Sequence, residues 1–296
     1  MTPERVILTA EEARGALGEG MAKVTALVPY LKAEVGPVRW ATARTEGTDA
    51  IATDGTWLSC RELIDDTHWL QQVVRASGLA ISTEDPVIAA SIFVQGYAYR
   101  LLALSVALAT AAGLLPDLDP MNLAVACSRG HIARVAYMAP TVVDFTQRRA
   151  SVRDALGDEG MADDVLRLIL AEAVESHLRL LVTSVRREIR VGERLLWGNI
   201  AASASTAFRT MEGCLGRWVM PLGERFFELA PPDLAGLGSF FFLEQEGRHG
   251  WFWERTNCCL FDRLPGNIRC SDCSMTPSKE RRAAYAASLT SSGDQA

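Results

Sequence analysis

Lysine is almost missing from this 296-residue chain: Lys23, Lys32 and Lys279 are the three among thirty basic residues. Positive charge is not in excess either. With 36 acids against 30 bases the formal charge is −6, which argues against a basic nucleic-acid-binding surface. No apolar run reaches membrane-spanning length. The most apolar window, residues 101–115 (LLALSVALATAAGLL), is about five residues short of a span and reads as a buried core helix. The opening MTPERVILTAEEARGALGEG has neither the basic flank nor the long apolar stretch of an export signal, so a cytoplasmic location is expected. Dinucleotide fingerprints are missing: Gly18-x-Gly20 and Gly236-x-Gly238 lack the third glycine and a strand-to-helix context, so no NAD or flavin site is expected. No internal repeat is visible.

What remains is an ordinary globular mixture, 49% apolar and 22% charged, which excludes wholesale disorder. The patterning predicts a mainly α-helical protein with a small β component, an α+β arrangement. Helices are predicted over the first 35 residues, over 62–76, from Asp85-Pro86 to Pro116 and Pro120, from Asp163 to Arg190, from Trp197 to Cys214 and from Gly216 to Leu229. The piece 36–60 and the run 132–139 carry strand character. After Pro231-Pro232, SFFFLEQEGRHGWFWERTNCCLF reads as a hairpin dense in aromatics. The expected organisation is a helical body over 1–230, a cysteine-rich region over 231–276 and a flexible tail over 277–296.

Cysteine is where the sequence concentrates chemistry. Seven cysteines and no export signal argue against a disulfide framework. Cys258 and Cys259 are adjacent; Cys270 follows after ten residues and Cys273 after two more. Four soft thiolates suit zinc or an iron–sulfur cluster and suit magnesium or calcium poorly. Neighbouring side chains diverge in an extended chain, so closing Cys258 and Cys259 onto one small ion needs a tight bend. A two-iron cluster tolerates that divergence better than a tetrahedral zinc site, which usually has two to four residues between paired cysteines. A structural zinc, four reduced thiols or a redox-active vicinal pair remain open on spacing alone. Arg255, Arg263 and Arg269 lie close enough in sequence to offset a negative site. Cys60, Cys127 and Cys214 read as buried small hydrophobes, His177 as a core histidine on an apolar helical face, and His249 as a turn residue. Asp117 and Asp119 lack the later ligands of a calcium loop and read as a helix-connecting turn.

The cysteine pattern, with an arginine three residues before Cys258, resembles that of the FhuF-like ferric siderophore reductases. Leu195 to Ser203 (LLWGNIAAS) resembles the family's Trp-Gly-Asn-x-Ala segment, and the stretches DPVIAASIFVQGYAYRLLAL and LLPDLDPMNL resemble its upstream helical region. Asp262 stands where the family pattern carries an aromatic residue. The resemblance implies a cytosolic enzyme that passes one electron to siderophore-bound ferric iron. It implies a [2Fe–2S] cluster on Cys258, Cys259, Cys270 and Cys273, recharged by an external donor such as a ferredoxin or a reduced flavin. The substrate expected is a ferric siderophore of hydroxamate type, with no nucleic-acid partner and no integral membrane segment. Arg255, Arg194 and Trp253 are the candidate substrate contacts, drawn from the cysteine region and from the basic run Arg186, Arg187, Arg190 and Arg194. Trp197-Gly198-Asn199 is expected to allow close packing at Gly198 and to cap a helix with Asn199, or else to line the substrate pocket. The readings from other classes are an iron- or redox-responsive [2Fe–2S] binding protein and a structural zinc protein.

Overall fold

The computed structural model describes residues 6–38, 57–147, 149–266 and 269–291. In chain order the helices are α1 (Ala10–Leu27), α2 (Cys60–Asp65), α3 (Thr67–Ala80), α4 (Pro86–Ala107), α5 (Val152–Leu156), α6 (Glu159–Ile169), α7 (Arg179–Glu188), α8 (Glu193–Leu215), α9 (Met220–Leu229) and α10 (Ser278–Ser291). The strands are β1 (Val6–Ile7), β2 (Ala33–Val35), β3 (Trp57–Ser59), β4 (Leu114–Pro116), β5 (Leu123–Ser128), β6 (His131–Tyr137), β7 (Val142–Asp144), β8 (Gly238–Gln245) and β9 (Arg248–Arg255). The protein is a mainly helical α+β fold, as its patterning implies.

Polar side chains set the helix starts. Thr9 and Glu12 exchange hydrogen bonds in a capping box at α1. Asp85 accepts from the Val87 and Ile88 amides at the start of α4, with Pro86 in the first turn, where its missing N–H costs nothing. Asp66 ends α2 and caps α3 through the His68 amide, so the helix predicted over 62–76 is two helices joined at one residue.

Helix α4 is buried on nearly every side and continues as a π-helical segment, Leu108–Ala112, that stops at Gly113 in the left-handed region. The helix therefore ends at a glycine rather than at Pro116, which lies in β4. Together Pro86–Ala112 is long and apolar enough to cross a membrane, although two thirds of its most apolar window, 67%, is buried inside the fold. The helix predicted from Asp163 begins earlier, at Glu159, and runs through a π-helical stretch, Leu170–Leu178, into α7.

Helix α8 lies along α4. Asn199 Nδ2 donates to the Ser91 carbonyl, and one turn later Ser203 Oγ donates to the Gln95 carbonyl. Both pairs are offset by the same 108 residues, so the two helices run in the same direction there. The small residues Ala201, Ala202, Ser203, Ala204 and Ser205 are all buried and permit the close approach.

A four-stranded sheet in the order β2-β6-β5-β3 packs against α4 through β6, where Arg100 Nε donates to the Ile132 carbonyl. Among the described residues only its β2–β6 pairing is parallel, and β5 and β6 are joined by a tight turn at Arg129-Gly130. A smaller sheet orders β1-β7-β4. Residues 39–56, in the piece read as strand-prone, lie outside the described residues; its two flanks are β2 and β3. Asp117 connects strands rather than helices, accepting from the Thr141 amide and from Asn122 between β4 and β5.

Strands β8 and β9 form the expected hairpin, closed by Glu246-Gly247 with positive φ at both positions. Its inner face packs on the body: the Trp253 ring lies 4.6 Å from Phe227 of α9 and 5.0 Å from Phe240 across the pair. Gly238 is required here, because a Cβ would overlap the Trp253 indole. The segment expected to fray, 277–296, instead holds α10. That helix packs Tyr285 on Phe252 and Phe241 and joins Arg281 and Arg282 to Glu254. Aromatic surface on the hairpin's outer face supplies burial that the short polar helix lacks by itself.

Candidate functional site: the cysteine loop and its cleft

After β9 the chain enters the cysteine loop. The bend that an adjacent pair requires is present just after it. Leu260 adopts the left-handed conformation, φ 66°, which costs a non-glycine residue about 1 kcal/mol, and its amide turns back to the Cys258 sulfur at 3.2 Å. Cys258 and Cys259 consequently face different neighbours. Cys258 Sγ donates to Asp262 Oδ1 at 3.2 Å, so an aspartate four residues on holds the first cysteine. Cys259 Sγ lies 4.0 Å from Cys270 Sγ. Four sulfurs about 2.3 Å from a central metal are about 3.8 Å apart along each tetrahedral edge, so this pair has the spacing of one such edge. Cys273 is buried, and its amide donates to the Cys270 carbonyl. Among the described residues no three His, Cys, Asp or Glu side chains are gathered as a group that could hold a metal ion.

The loop is fastened to α4 and α8 by a buried polar chain. Ser91 Oγ donates to the Cys259 carbonyl at 2.7 Å, and Asn199 Nδ2 donates to Ser91 Oγ at 2.8 Å. The Asn199 carbonyl oxygen accepts from Arg255 Nη2 at 2.7 Å. Asn199, in the first half of α8, is thus no helix cap; it joins two helices to Arg255, three residues before the first cysteine. Gly198 allows the contact alongside, since a Cβ there would overlap the Asn257 carboxamide. Arg281 closes the loop from α10, donating to the Arg255 and Asp272 carbonyls.

Arg255 is 1% exposed. Its Nη1 lies 3.9 Å from an Asp272 carboxylate oxygen, and neither Nε nor Nη1 has a hydrogen-bond partner. A buried guanidinium with two nitrogens that make no hydrogen bond can accept further negative charge besides that of Asp272. Cys259 is suited to carry it. Its hydrogen bond from Cys270 and then the Arg255 charge bring its pKa down to about 6 against the opposing effect of burial, while Cys270 moves upward as the donor. Burial and then the Asp262 carboxylate push Cys258 up.

Arg255 and Trp253, expected as substrate contacts, are both buried, Trp253 also at 1% exposure in the aromatic stack of the hairpin. Arg194 is exposed on the first turn of α8, about three turns from the part of that helix that meets the cleft described next. In the basic run, Arg186 pairs with Glu193 and Arg187 with Glu188. Arg263 and Arg269 are exposed.

A cleft of about 400 Å³ opens beside the cysteines, between α4 and α8. Cys259, Cys270 and Phe261 form one wall; Gln95, Gly96 and Tyr99 of α4 and Ser203 and Thr206 of α8 form others. Of these, the two cysteines are the ones proposed from sequence as site residues; Ser203 was read as a packing residue. The signal available was helical phase: residues 92, 95, 96 and 99 recur at threes and fours on α4, as the partners of a single face do. A larger cleft, about 830 Å³, between α6 and α9 touches no cysteine. The smaller one is the better site because it alone of the two meets the redox-capable side chains.

The chain matches the family described as "Ferric iron reductase FhuF-like transporter" over residues 91–241, just over half of its length. The chain belongs to the FhuF-like ferric iron reductase family. No curated protein matches it. The family segment spans α4 through α8 to the first half of β8, and so includes Ser91 and Asn199, which grip the loop, and the α4 and α8 walls of the cleft. The four cysteines lie beyond it.

The other chemistry-bearing residues are structural. His177 is fully buried between the Tyr97 hydroxyl, 2.6 Å away, and the Leu118 carbonyl, 2.7 Å away, as a core histidine should be. Burial pushes Cys60 and Cys127 up to about 12, so both are neutral thiols in the core. Cys214 differs from expectation and is exposed, because it faces outward near the end of α8. His249 sits on β9 with its ring against Phe242.

Proposed function

We propose that the protein is a cytoplasmic ferric siderophore reductase that binds a [2Fe–2S] cluster through Cys258, Cys259, Cys270 and Cys273 and acts on hydroxamate-type chelates. The observation that carries this reading is the placement of the Cys259–Cys270 pair as the wall of a cleft built by α4 and α8. The donor set fits the cluster in three respects: four thiols on one loop, two of them already at the spacing of a tetrahedral edge, and beside them a buried arginine two of whose nitrogens make no hydrogen bond. When bound, the cluster supplies a one-electron couple at that wall.

The chain's own residues do the rest. Ser91 and Asn199 hold the Cys259 backbone to the helices. Arg255 opposes the negative charge of the thiolates and so raises the potential at which an electron is accepted. Phe252, Trp253 and Leu260, all buried, keep water from the inner side of the loop.

The chemistry is balanced by one electron. Hard hydroxamate oxygens hold Fe(III) tightly and Fe(II) weakly, so a chelate that gains one electron releases Fe(II), and the freed hydroxamates take up protons from water. The electron comes from a reduced ferredoxin or flavin, and no general base on the protein is needed. On this reading Pro86–Ala112 is a core helix and no segment crosses the membrane.

The deciding experiment is anaerobic purification followed by visible absorption, iron and sulfide analysis, and EPR after dithionite reduction. A red-brown protein with about two irons and two sulfides and an S = 1/2 signal on reduction is expected. A colourless protein holding one zinc would overturn the reading.

A further inference from the structure

Two carboxylates stand between the first and last cysteines of the loop, Asp262 and Asp272. The fold treats them differently. Asp272 has the buried Arg255 guanidinium 3.9 Å away. Asp262 is half-buried and, among the described residues, forms no ion pair; the hydrogen bond it accepts comes from the Cys258 thiol at 3.2 Å.

Local structure does not account for that contact. An aspartate in a tight turn usually accepts a backbone amide. Asp262 lies in the 3₁₀ turn Phe261–Arg263, but the amides there go elsewhere: Arg263 donates to the Leu260 carbonyl and Leu264 to the Phe261 carbonyl. The left-handed Leu260 folds the chain back, and the carboxylate that arrives beside Cys258 serves no cap.

As a thiol, Cys258 is a suitable donor to Asp262. As a metal ligand it is a thiolate, and two anions in contact repel unless a cation lies with them. No arginine or lysine among the described residues pairs with Asp262, so the cation left to join the two groups is the metal. A thiolate and a carboxylate on one tetrahedral metal, at about 2.3 and 2.1 Å, are about 3.6 Å apart. The Cys258–Asp262 separation of 3.2 Å is close to that edge, as the 4.0 Å of Cys259 and Cys270 is to the edge between two sulfurs.

We propose that Asp262 is a fifth protein ligand of the metal centre, an oxygen donor that shares one coordination position with Cys258 and takes it when the thiolate leaves. In that exchange the bond from the Cys258 sulfur to the metal breaks and one from an Asp262 oxygen forms. The released thiolate takes a proton from water, and no electron moves. The proposal rests on the reading that this loop binds a metal centre; it does not rest on the reductase activity or on the type of centre.

The test is reconstitution of the full-length apoprotein, read as bound metal rather than as turnover. With ferrous iron and sulfide, Cys258→Ala should keep most of its iron and give a reduced-state EPR spectrum different from that of wild type. Cys259→Ala and the double variant Cys258→Ala/Asp262→Ala should each lose iron at least about tenfold. Asp262→Ala alone should keep both the iron and the wild-type spectrum, because Cys258 holds the position. Circular dichroism checks that each loss is one of ligand and not of fold; where the double variant loses helicity, Cys258→Ala/Asp262→Asn, which keeps the side-chain shape, replaces it. Iron lost from Cys258→Ala as completely as from Cys259→Ala, or retained equally with and without Asp262, would overturn the proposal.

Cobalt(II) separates this outcome from the cluster reading. Sulfur-to-cobalt charge-transfer absorption grows with the number of bound thiolates. Cys258→Ala should show less of it with cobalt still bound, and adding Asp262→Ala should weaken cobalt binding at least about tenfold. That result with a colourless, zinc-bearing wild type would uphold Asp262 and sink the cluster. A wild type with two irons and two sulfides, whose Cys258→Ala variant binds neither iron nor cobalt, would uphold the cluster and sink Asp262.

Discussion

His177 and Arg255 are both fully buried and both able to carry positive charge, yet their surroundings are opposites. In the helical body His177 has both ring nitrogens satisfied, by Tyr97 and by the Leu118 carbonyl, and burial lowers its pKa to about 4, so it is neutral. Around the cysteine loop Arg255 has one hydrogen bond, to Asn199; its Nε and Nη1 make none, and the nearest carboxylate oxygen, of Asp272, is 3.9 Å from Nη1. The contrast extends to their neighbours. Among the described residues, five of the eight buried side-chain atoms without a hydrogen bond belong to Trp253, Arg255, Asn257 and Arg281. A core built for stability pairs its polar groups; a shell built around a charged group leaves donors free to meet it. The helical body is the scaffold, and the hairpin, loop and α10 form the site laid on it.

That comparison can be broken from either side, and the largest effect belongs to the loop. Cys259→Ser should abolish the visible absorption and iron content and lower ferric chelate reduction by more than about a hundredfold. The helical circular dichroism should be retained, because α4 and α8 do not depend on the thiol. Full iron retention in this variant would remove Cys259 from the ligand set.

Arg255→Met should be the next most severe. It leaves the Asn199 oxygen unpaired, a loss of about 1–3 kcal/mol in a denaturant titration. It should also shift the midpoint potential downward in a redox titration, because the positive charge facing the site is gone. Arg255→Lys, which keeps the charge, should restore much of the potential but little of the stability. An unchanged potential in Arg255→Met would mean that the guanidinium only positions the loop.

His177 gives the pH dependence. Its folded value of about 4 lies below the ordinary 6.5. Between those values the unfolded chain binds a proton that the folded chain refuses. Its full contribution is therefore present above pH 6.5 and is lost as the pH falls toward 4, by up to about 3 kcal/mol. Denaturant midpoints should fall across that window in the wild type and fall less in His177→Gln. Equal slopes would assign the acid sensitivity to other groups.

The smallest effect belongs to the solvated basic run. Arg186→Ala removes an ion pair with Glu193 in which both side chains are 43% exposed, and should cost at most about 0.5 kcal/mol. Chelate reduction should not change, since Arg186 does not line the cleft. A rise in KM would place the substrate on this face of the protein instead.

Legibility in the sequence followed the range of the interactions. The hairpin was readable because alternation, aromatics and a glycine turn lie within eighteen residues. The start of α4 was readable because Asp85-Pro86 caps it locally. The split at Asp66 was hidden because one aspartate serves as the end of one helix and the start of another. The order of 278–291 was hidden because its small polar residues are held by Arg281, Arg282 and Tyr285 against a hairpin some thirty residues away. Arg255 and Trp253 were read as substrate contacts from their nearness to the cysteines. Proximity along the chain does not reveal which side of a strand faces the core.

The sequence by itself determined the four-cysteine spacing, the helical content and the small residues that let α8 approach α4, because each is written in local composition and periodicity. Only the tertiary structure decided that Ser91, Asn199 and Arg255, separated by more than fifty residues at each step, form one buried chain to the Cys259 carbonyl. It likewise decided that Gln95 and Gly96 share a cleft with Cys259 and Cys270. Hydrogen bonds and cavities of this kind depend on how helices pack, and packing is settled by the fit of whole surfaces rather than by any short stretch of chain.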